Sequence, residues 1–244
     1  MNTNVMSLQG KVAVITGAGR GIGRAIAQAY AGAGASVVCS ARSAAQIEET
    51  VGLIETAGGR ASAWVADVVD YEAVRRLFEH AAATYGGVDI VVANAGINAA
   101  ARKVHHVDPA LWAQTIQVNL VGALHTAQAA IAHLRNRGSG KIIFVGSGTR
   151  KEAAPGSSAY ACSKIGLWKL TQVLAVELQE YDISVNELIP GPVKTAMTGF
   201  GETRFAPGEW VKEPTDLVPM ALFLATQPDF GPTAQSFSLM RRAS

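Results

Sequence analysis

Short, unbroken apolar runs alternate along the chain with longer stretches whose apolar positions recur at helical spacing. The pattern predicts a strand at Lys11–Thr16, a helix at Ile22–Ala33, a strand at Ser36–Ser40 and a helix at Ala44–Ala57. A strand at Ala61–Ala66, a helix at Tyr71–Tyr85 and a strand at Val88–Ala93 follow. Asp108-Pro109 opens the next helix, a capping carboxylate followed by proline at the first helical position. That helix is expected to run to about Arg137 and to stop at Gly138-Ser139-Gly140. Then come a strand at Lys141–Gly146, a helix at Ser158–Tyr181, a strand at Ile183–Ile189, a helix near Thr215–Thr226 and a strand near Gln235–Leu239. Runs such as Val-Ala-Val-Ile and Ile-Ile-Phe-Val do not alternate with polar residues, as befits strands covered by helices on both faces. The expected architecture is α/β, a doubly wound parallel sheet of about seven strands in a single domain over 1–244. Ligands of such sheets sit at the carboxyl ends of the strands, where the strand order reverses.

Composition narrows the classes. The 244 residues are 49% apolar and 16% charged, which excludes a disordered chain and permits a sizeable core. A net charge of +2 gives no field for nucleic acid or anionic membrane. Cys39 and Cys162 make no disulfide framework and suit a reducing compartment. Met1–Gly10 lacks the apolar stretch of a signal peptide, and Leu217–Ala225 is too short to span a bilayer. A cytoplasmic protein with neither membrane nor nucleic-acid partner is expected.

The first predicted strand leads into Thr16-Gly17-Ala18-Gly19-Arg20-Gly21-Ile22-Gly23. Glycines there let the backbone approach a pyrophosphate, whose charge the amino end of the next helix favours. By itself the turn equally suits a connection that merely packs tightly. Its T-G-x-x-x-G-x-G spacing is joined, in order, by Asn94-Ala95-Gly96, by Tyr160-Ala161-Cys162-Ser163-Lys164 and by Pro190-Gly191-Pro192-Val193-Lys194-Thr195. Together these resemble the short-chain dehydrogenase/reductase family over nearly the whole chain. The resemblance implies a Rossmann-like fold and a nicotinamide cofactor. It also implies cofactor contacts from Gly17, Gly19, Arg20, Gly21, Ile22, Arg42, Asp67, Val68, Asn94, Ala95, Gly96, Tyr160, Lys164, Pro190, Gly191, Val193 and Thr195. The second predicted strand ends Ser40-Ala41-Arg42, with no carboxylate to grip a ribose 2′-hydroxyl or to repel a 2′-phosphate. Arg42, with Arg20 near it, offers a planar fork to that phosphate, so NADP is expected over NAD.

Tyr160 and Lys164, four apart on a predicted helix, share a face. An ammonium ~4 Å from the phenol, at an effective dielectric of ~20, supplies about 4 kcal/mol, enough to bring a tyrosine toward neutral pKa. The family resemblance implies that Ser147 donates to the substrate oxygen and that Asn119 holds a water chain to Lys164. The reaction so implied is hydride transfer between nicotinamide and a carbonyl or secondary alcohol, with Tyr160 as general acid–base. Reduction of a 3-oxoacyl thioester on an acyl-carrier protein, and a non-enzymatic NADP-binding sensor, are the alternatives. Arg102, Lys103, His105, His106, Arg150, Lys151 and Arg204, against Glu152, Glu202 and Glu209, suggest an anionic substrate. A lid is expected over about 194–213, with Phe200 and Phe205 on its Gly199–Gly208 stretch. No zinc site is supported by His105, His106, His125 or His133. The tail Ser236–Arg242 departs from the family's short acidic ending, which puts the usual subunit contacts in doubt. Small faces on Val121–Ala132 and Ile165–Val176 still permit a homo-oligomer, tetramer or dimer.

Overall fold

Strands buried along their whole length must be covered on both faces, and the four central strands are. In the computed structural model, which describes residues 6–151, 154–201 and 210–240, they are β1 (Val12–Thr16), β4 (Ile90–Ala93), β5 (Gly140–Val145) and β6 (Ile183–Ile189). With β2 (Ser36–Ala41), β3 (Arg60–Val65) and β7 (Ser236–Ser238) they form one parallel sheet in the order β3-β2-β1-β4-β5-β6-β7. The edge strand β3 keeps partly exposed side chains, as an edge should.

Helices α1 (Gly21–Gly32), α2 (Ala44–Thr56) and α7 (Val218–Ala225) cover one face, where Ile26, Tyr30, Ile47, Ile54 and Leu224 join the core. Helices α3 (Tyr71–Tyr85), α5 (Gly122–Asn136) and α6 (Ser158–Glu177) cover the other, through Leu77, Phe78, Leu134, Leu167 and Leu174. Burial of each large side chain of this kind stabilises the fold by roughly 1.5–3 kcal/mol. The boundaries follow local chemistry. Asp70 and Asp108 cap α3 and the short α4 (Pro109–Ile116), accepting from Ala73 N and Ala110 N.

The helix predicted from Asp108-Pro109 to about Arg137 forms over Pro109–Asn136, but with an irregular turn inside it. Residues Gln117–Val121 make a π-helical turn between α4 and α5, which swings Val118 and Asn119 into the interior. Gly122 then lies against Val68, and a methyl group on it would stand 2.5 Å from Val68 Cγ2. Likewise the helix from Ser158 ends at Glu177, and a 3-10 turn at Gln179–Tyr181 carries the chain to Asp182 in a left-handed conformation. Pro214–Leu217 form a 3-10 turn before α7. Of the expected lid, Ala196–Gly201 is a kinked 3-10 segment, whereas Glu202, Arg204, Phe205 and Glu209 lie outside the described residues, as do Glu152, Arg241 and Arg242. No helix among the described residues is long and apolar enough to cross a membrane.

Below the sheet, Asp89 joins three elements. Its carboxylate accepts from Val12 N at 2.8 Å and from Arg137 Nε at 3.1 Å, with Lys11 Nζ at 3.7 Å. Replacement of Asp89 by alanine leaves the buried Val12 N–H without its acceptor. The expected loss is about 2–4 kcal/mol, read as a lower denaturant midpoint with unchanged slope.

Candidate active site

The chain leaves β1 through a turn that only glycine can make. Gly17 and Gly21 have φ of 66° and 57°, and at Gly23 a Cβ would stand 2.3 Å from the Gly17 carbonyl oxygen. The turn is braced from β4: Asn94 Nδ2 donates to Thr16 O at 2.9 Å and to Gly17 O at 3.1 Å. In return, Thr16 Oγ1 accepts from the backbone of Asn94 and Ala95 at 3.2 and 3.3 Å. The amino end of α1 carries neither a side-chain cap nor an acidic residue in its first turn, so its N–H groups face the cleft ready for an anion.

That cleft holds about 760 Å³ and runs along the carboxyl ends of β2, β1, β4 and β5. One end is bordered by Arg42, Ser43 and Asp67, the middle by the glycine turn, and the other end by Tyr160, Lys164 and Thr195. Gly19, Arg20, Ile22, Val68, Ala95, Gly96 and Pro190 line it too, as the sequence suggests. Gly191 and Val193 do not border it. Val193 is buried in a bridge to Lys212, and Gly191 packs against Met240 and the Lys212 side chain. Ser43 and Gln46 were not foreseen. Ser43 precedes α2 without capping it, and Gln46 packs on Gly19, where a Cβ would meet it at 2.8 Å. Arg42 is exposed and stands 3.9 Å from Asp67, a loose surface pair of small worth.

At the reactive end α6 presents Tyr160, Ser163 and Lys164 on adjoining positions. Lys164 is buried, donates from Nζ to Val145 O at 2.8 Å, and lies 5.6 Å from the centre of the Tyr160 ring. Burial pulls its pKa down to about 8, against the pull of Glu187, which favours the ammonium. Burial also raises Tyr160, with the nearby Ser147 hydroxyl acting the other way. The Tyr160 shift is thus upward in the ligand-free protein, with burial its largest cause and the Ser147 hydroxyl the opposing one. The Ser147 hydroxyl pairs with Thr149 Oγ1 and accepts from Thr149 N at 3.3 Å.

Asn119 is fully enclosed by the π turn. Its Oδ1 accepts from Ile97 N at 2.8 Å, and its Nδ2 donates to Ile97 O at 2.9 Å and to Ser163 Oγ at 3.1 Å. Both amide hydrogens are thus spent on protein, and the side chain clamps the segment after β4 onto α6.

Arg150 corrects the picture of a cationic substrate rim. It is turned inward, donating to Ser236 Oγ at 2.7 Å and pairing with Glu187 at 3.1 Å, because a buried carboxylate left without a partner would be strongly destabilising. Arg102, Lys103, His105, His106 and Lys151 are exposed. Met240 folds back over the site loops, and a methyl group on Gly148 would stand 1.9 Å from its Sδ. Among the described residues, no group of three histidine, cysteine or acidic side chains could hold a metal ion.

A doubly wound sheet whose switch-point cleft joins a glycine turn to a Tyr-Lys pair defines a class of dinucleotide-dependent oxidoreductases, and comparison with known proteins agrees. The short chain dehydrogenase family model matches residues 11–203. The chain is 36% identical over 230 residues to 3beta-hydroxysteroid dehydrogenase 1 of Eggerthella lenta, covering 90% of this chain and 88% of that one. Carveol dehydrogenase from Mycobacterium avium, solved in complex with NAD, superimposes with a TM-score of 0.87 at 29% identity, covering 95% of this chain and 96% of that one. A Beutenbergia cavernae structure with NADP at low occupancy gives 0.87 at 36% identity, covering 96% and 97%. The chain belongs to the short-chain dehydrogenase/reductase family and is an oxidoreductase of that family.

The closeness of Gly23 to Gly17 gives a direct test. In Gly23→Ala the added carbon meets backbone rather than a flexible side chain, so the turn must open. Dinucleotide affinity, measured by fluorescence titration, is expected to fall at least tenfold while the melting temperature changes by only a few degrees.

Proposed function

We propose that this protein is an NADP(H)-dependent oxidoreductase interconverting a ketone and a secondary alcohol, with Tyr160 as the acid–base. The observation that carries the reading is one cleft with Tyr160, Lys164 and the nearby Ser147 at one end and Arg42 at the other. The glycine turn and the uncapped amino end of α1 would hold the pyrophosphate, and Lys164 the ribose of the nicotinamide half. The nicotinamide supplies or takes up the hydride.

The chain's own residues handle the proton. At neutral pH the raised Tyr160 hydroxyl keeps its hydrogen and can donate it to a carbonyl oxygen. Ser147, turning its hydroxyl from Thr149, would donate a second hydrogen bond to the same oxygen. In the oxidative direction Tyr160 must act as base, which needs about 4 kcal/mol of differential stabilisation of the phenolate. The Lys164 ammonium is the group of this chain placed to contribute. Asn119 supports the site by holding Ile97 and Ser163.

Arg42, Arg20 and Ser43 favour a 2′-phosphate, while Asp67 limits the preference by sharing Arg42. The substrate end is bordered by Ile97, Ala99, Val118 and Met197, which suits an apolar body. The names of two relatives, a hydroxysteroid and a carveol dehydrogenase, point to ring-borne alcohols. An acyl-carrier arm is less well served, since Arg150 is withdrawn from the rim. A pure sensor would have no use for the Tyr160–Lys164 pair. Exposed Leu124, Ile165, Val173 and Val176 on α5 and α6 are suited to pairing between copies of the chain, and the two free thiols to the cytoplasm.

The test is a panel of cyclic ketones, keto acids and 3-oxoacyl thioesters run with NADPH and NADH. Cyclic ketones with NADPH are expected to turn over fastest; an inert panel with tight cofactor binding would overturn the enzyme reading. Tyr160→Phe should lower kcat/KM roughly 10²–10⁴-fold while NADPH binding persists. Arg42→Ala should cut the NADPH-to-NADH preference roughly 10–100-fold, the loss of one charge-assisted contact of about 1.5–3 kcal/mol.

A further inference from the structure

Behind the cleft lies a charged cluster that the reaction scheme above does not use. Glu187 sits in β6 between Phe144 of β5 and Ser236 of β7, and is fully buried. It projects toward α6, as Val185 of the same strand does. One carboxylate oxygen, Oε2, accepts from the Ser236 hydroxyl and stands 3.1 Å from Arg150 Nη2 as an ion pair. Arg150 is itself fixed, its guanidinium 4.4 Å over the Trp168 ring, one helical turn beyond Lys164 on α6. The other oxygen, Oε1, makes no hydrogen bond among the described residues and fills the space beside Gly146, where a Cβ would stand 1.9 Å from it.

Gly146 is the residue between two parts of the reactive end. Val145, before it, gives the carbonyl that holds Lys164 Nζ; Ser147, after it, begins the 3-10 turn Gly148–Arg150. The groups around Glu187 are Arg150 and Lys151 from that turn, Lys164 from α6 and Ser236 from β7. Those around Lys164 are the Val145 carbonyl, Tyr160 and, without direct contact, Glu187. A carboxylate costs free energy here that an apolar side chain would not, and Val185 shows that the face accepts one. Burial raises the Glu187 carboxyl, and the Ser236 hydroxyl with the charges of Arg150, Lys164 and Lys151 pulls it back, while Oε1 stays unpartnered beside Gly146.

We propose that Glu187, clamped by Arg150 and Ser236, is a positioning residue: a buried counter-charge that keeps Lys164 an ammonium and seats the Ser147 turn against β6. This rests on the reading of Tyr160 and Lys164 as the reacting pair. Arg150, a residue of the turn that Ser147 begins, links the two tasks, since it cannot leave Glu187 without taking that turn with it.

The experiment follows the Lys164 13Cε resonance by NMR across pH in the cofactor-free protein, whose eight lysines keep the spectrum simple, alongside the pH dependence of kcat/KM. In wild type the ammonium should persist to about pH 8. Glu187→Gln removes the negative charge without changing shape, and the midpoint is expected to fall by about one pH unit. The alkaline limb of kcat/KM should move down with it. Because Glu187→Gln strands the Arg150 charge, the double variant Arg150→Gln/Glu187→Gln provides a neutral pair that can still hydrogen bond. With the Arg150 cation gone as well, a smaller movement in the same downward direction is expected. Glu187→Asp should return the midpoint toward wild type. A midpoint unmoved in both the single and the double glutamine variants overturns the proposal, even if both lose activity through packing. A protein inert toward every ketone would defeat the functional reading, yet the cofactor-free titration would still decide this one.

Discussion

The pairing of β1 with β4 is the constraint from which the site follows. From β1 the chain proceeds outward through β2 to β3; from β4 it proceeds the other way through β5 and β6 to β7. The connections therefore part company above the β1–β4 seam, which opens a crevice at the carboxyl ends. The crevice so formed is held open by close backbone contact rather than by bulk. Gly23 rests on the Gly17 carbonyl, and Asn94 ties Thr16 and Gly17 to the end of β4. With the two central strands locked at their tips, the amino end of α1 is aimed across the seam, and the residues of β5, α6 and the turn after β6 gather on its far side.

The far side depends on helical irregularity. A regular helix through residues 117–121 would carry the Asn119 side chain round to a different face. The π turn adds one residue to the ladder and delivers that amide to Ile97 and Ser163, tying the chain after β4 to the helix bearing Tyr160 and Lys164. Cofactor end and reactive end are thereby parts of one rigid frame. The tail adds to it: Met240 occupies space that Gly148 and Gly191 leave bare, so the last described residues buttress the turns after β5 and β6.

Much of this was legible in the residue pattern. Continuous apolar runs reported a sheet covered on both faces, the capping aspartates marked two helix starts, and the glycine spacing with Asn94 located the crevice. What stayed hidden was whatever depends on partners distant in sequence. Gln117-Val118-Asn119-Leu120-Val121 reads as ordinary helix because its propensities do not distinguish an α from a π turn. Arg150, beside a lysine in a predicted loop, reads as a solvent-facing cation; its partner Glu187 is 37 residues away in a strand and betrays nothing by spacing. Tyr160 shows what helical spacing leaves out. Adjacency on a helix revealed the lysine, but whether the charge or the burial prevails is decided by how much water the fold removes.

That balance carries a consequence for the direction of chemistry. Burial pushes the two groups toward one another, the phenol upward and the ammonium down to about 8. At neutral pH both still hold their protons, so the protein without ligand rests in the form suited to protonating an oxygen rather than to accepting a proton from one. Oxidation of an alcohol would have to begin by removing the Tyr160 proton, and the same desolvation that raises the phenol opposes this. The Tyr160 phenol starts from its protonated form at neutral pH. It becomes a base only when added positive charge beside the phenol, or a rising pH, offsets what burial imposes.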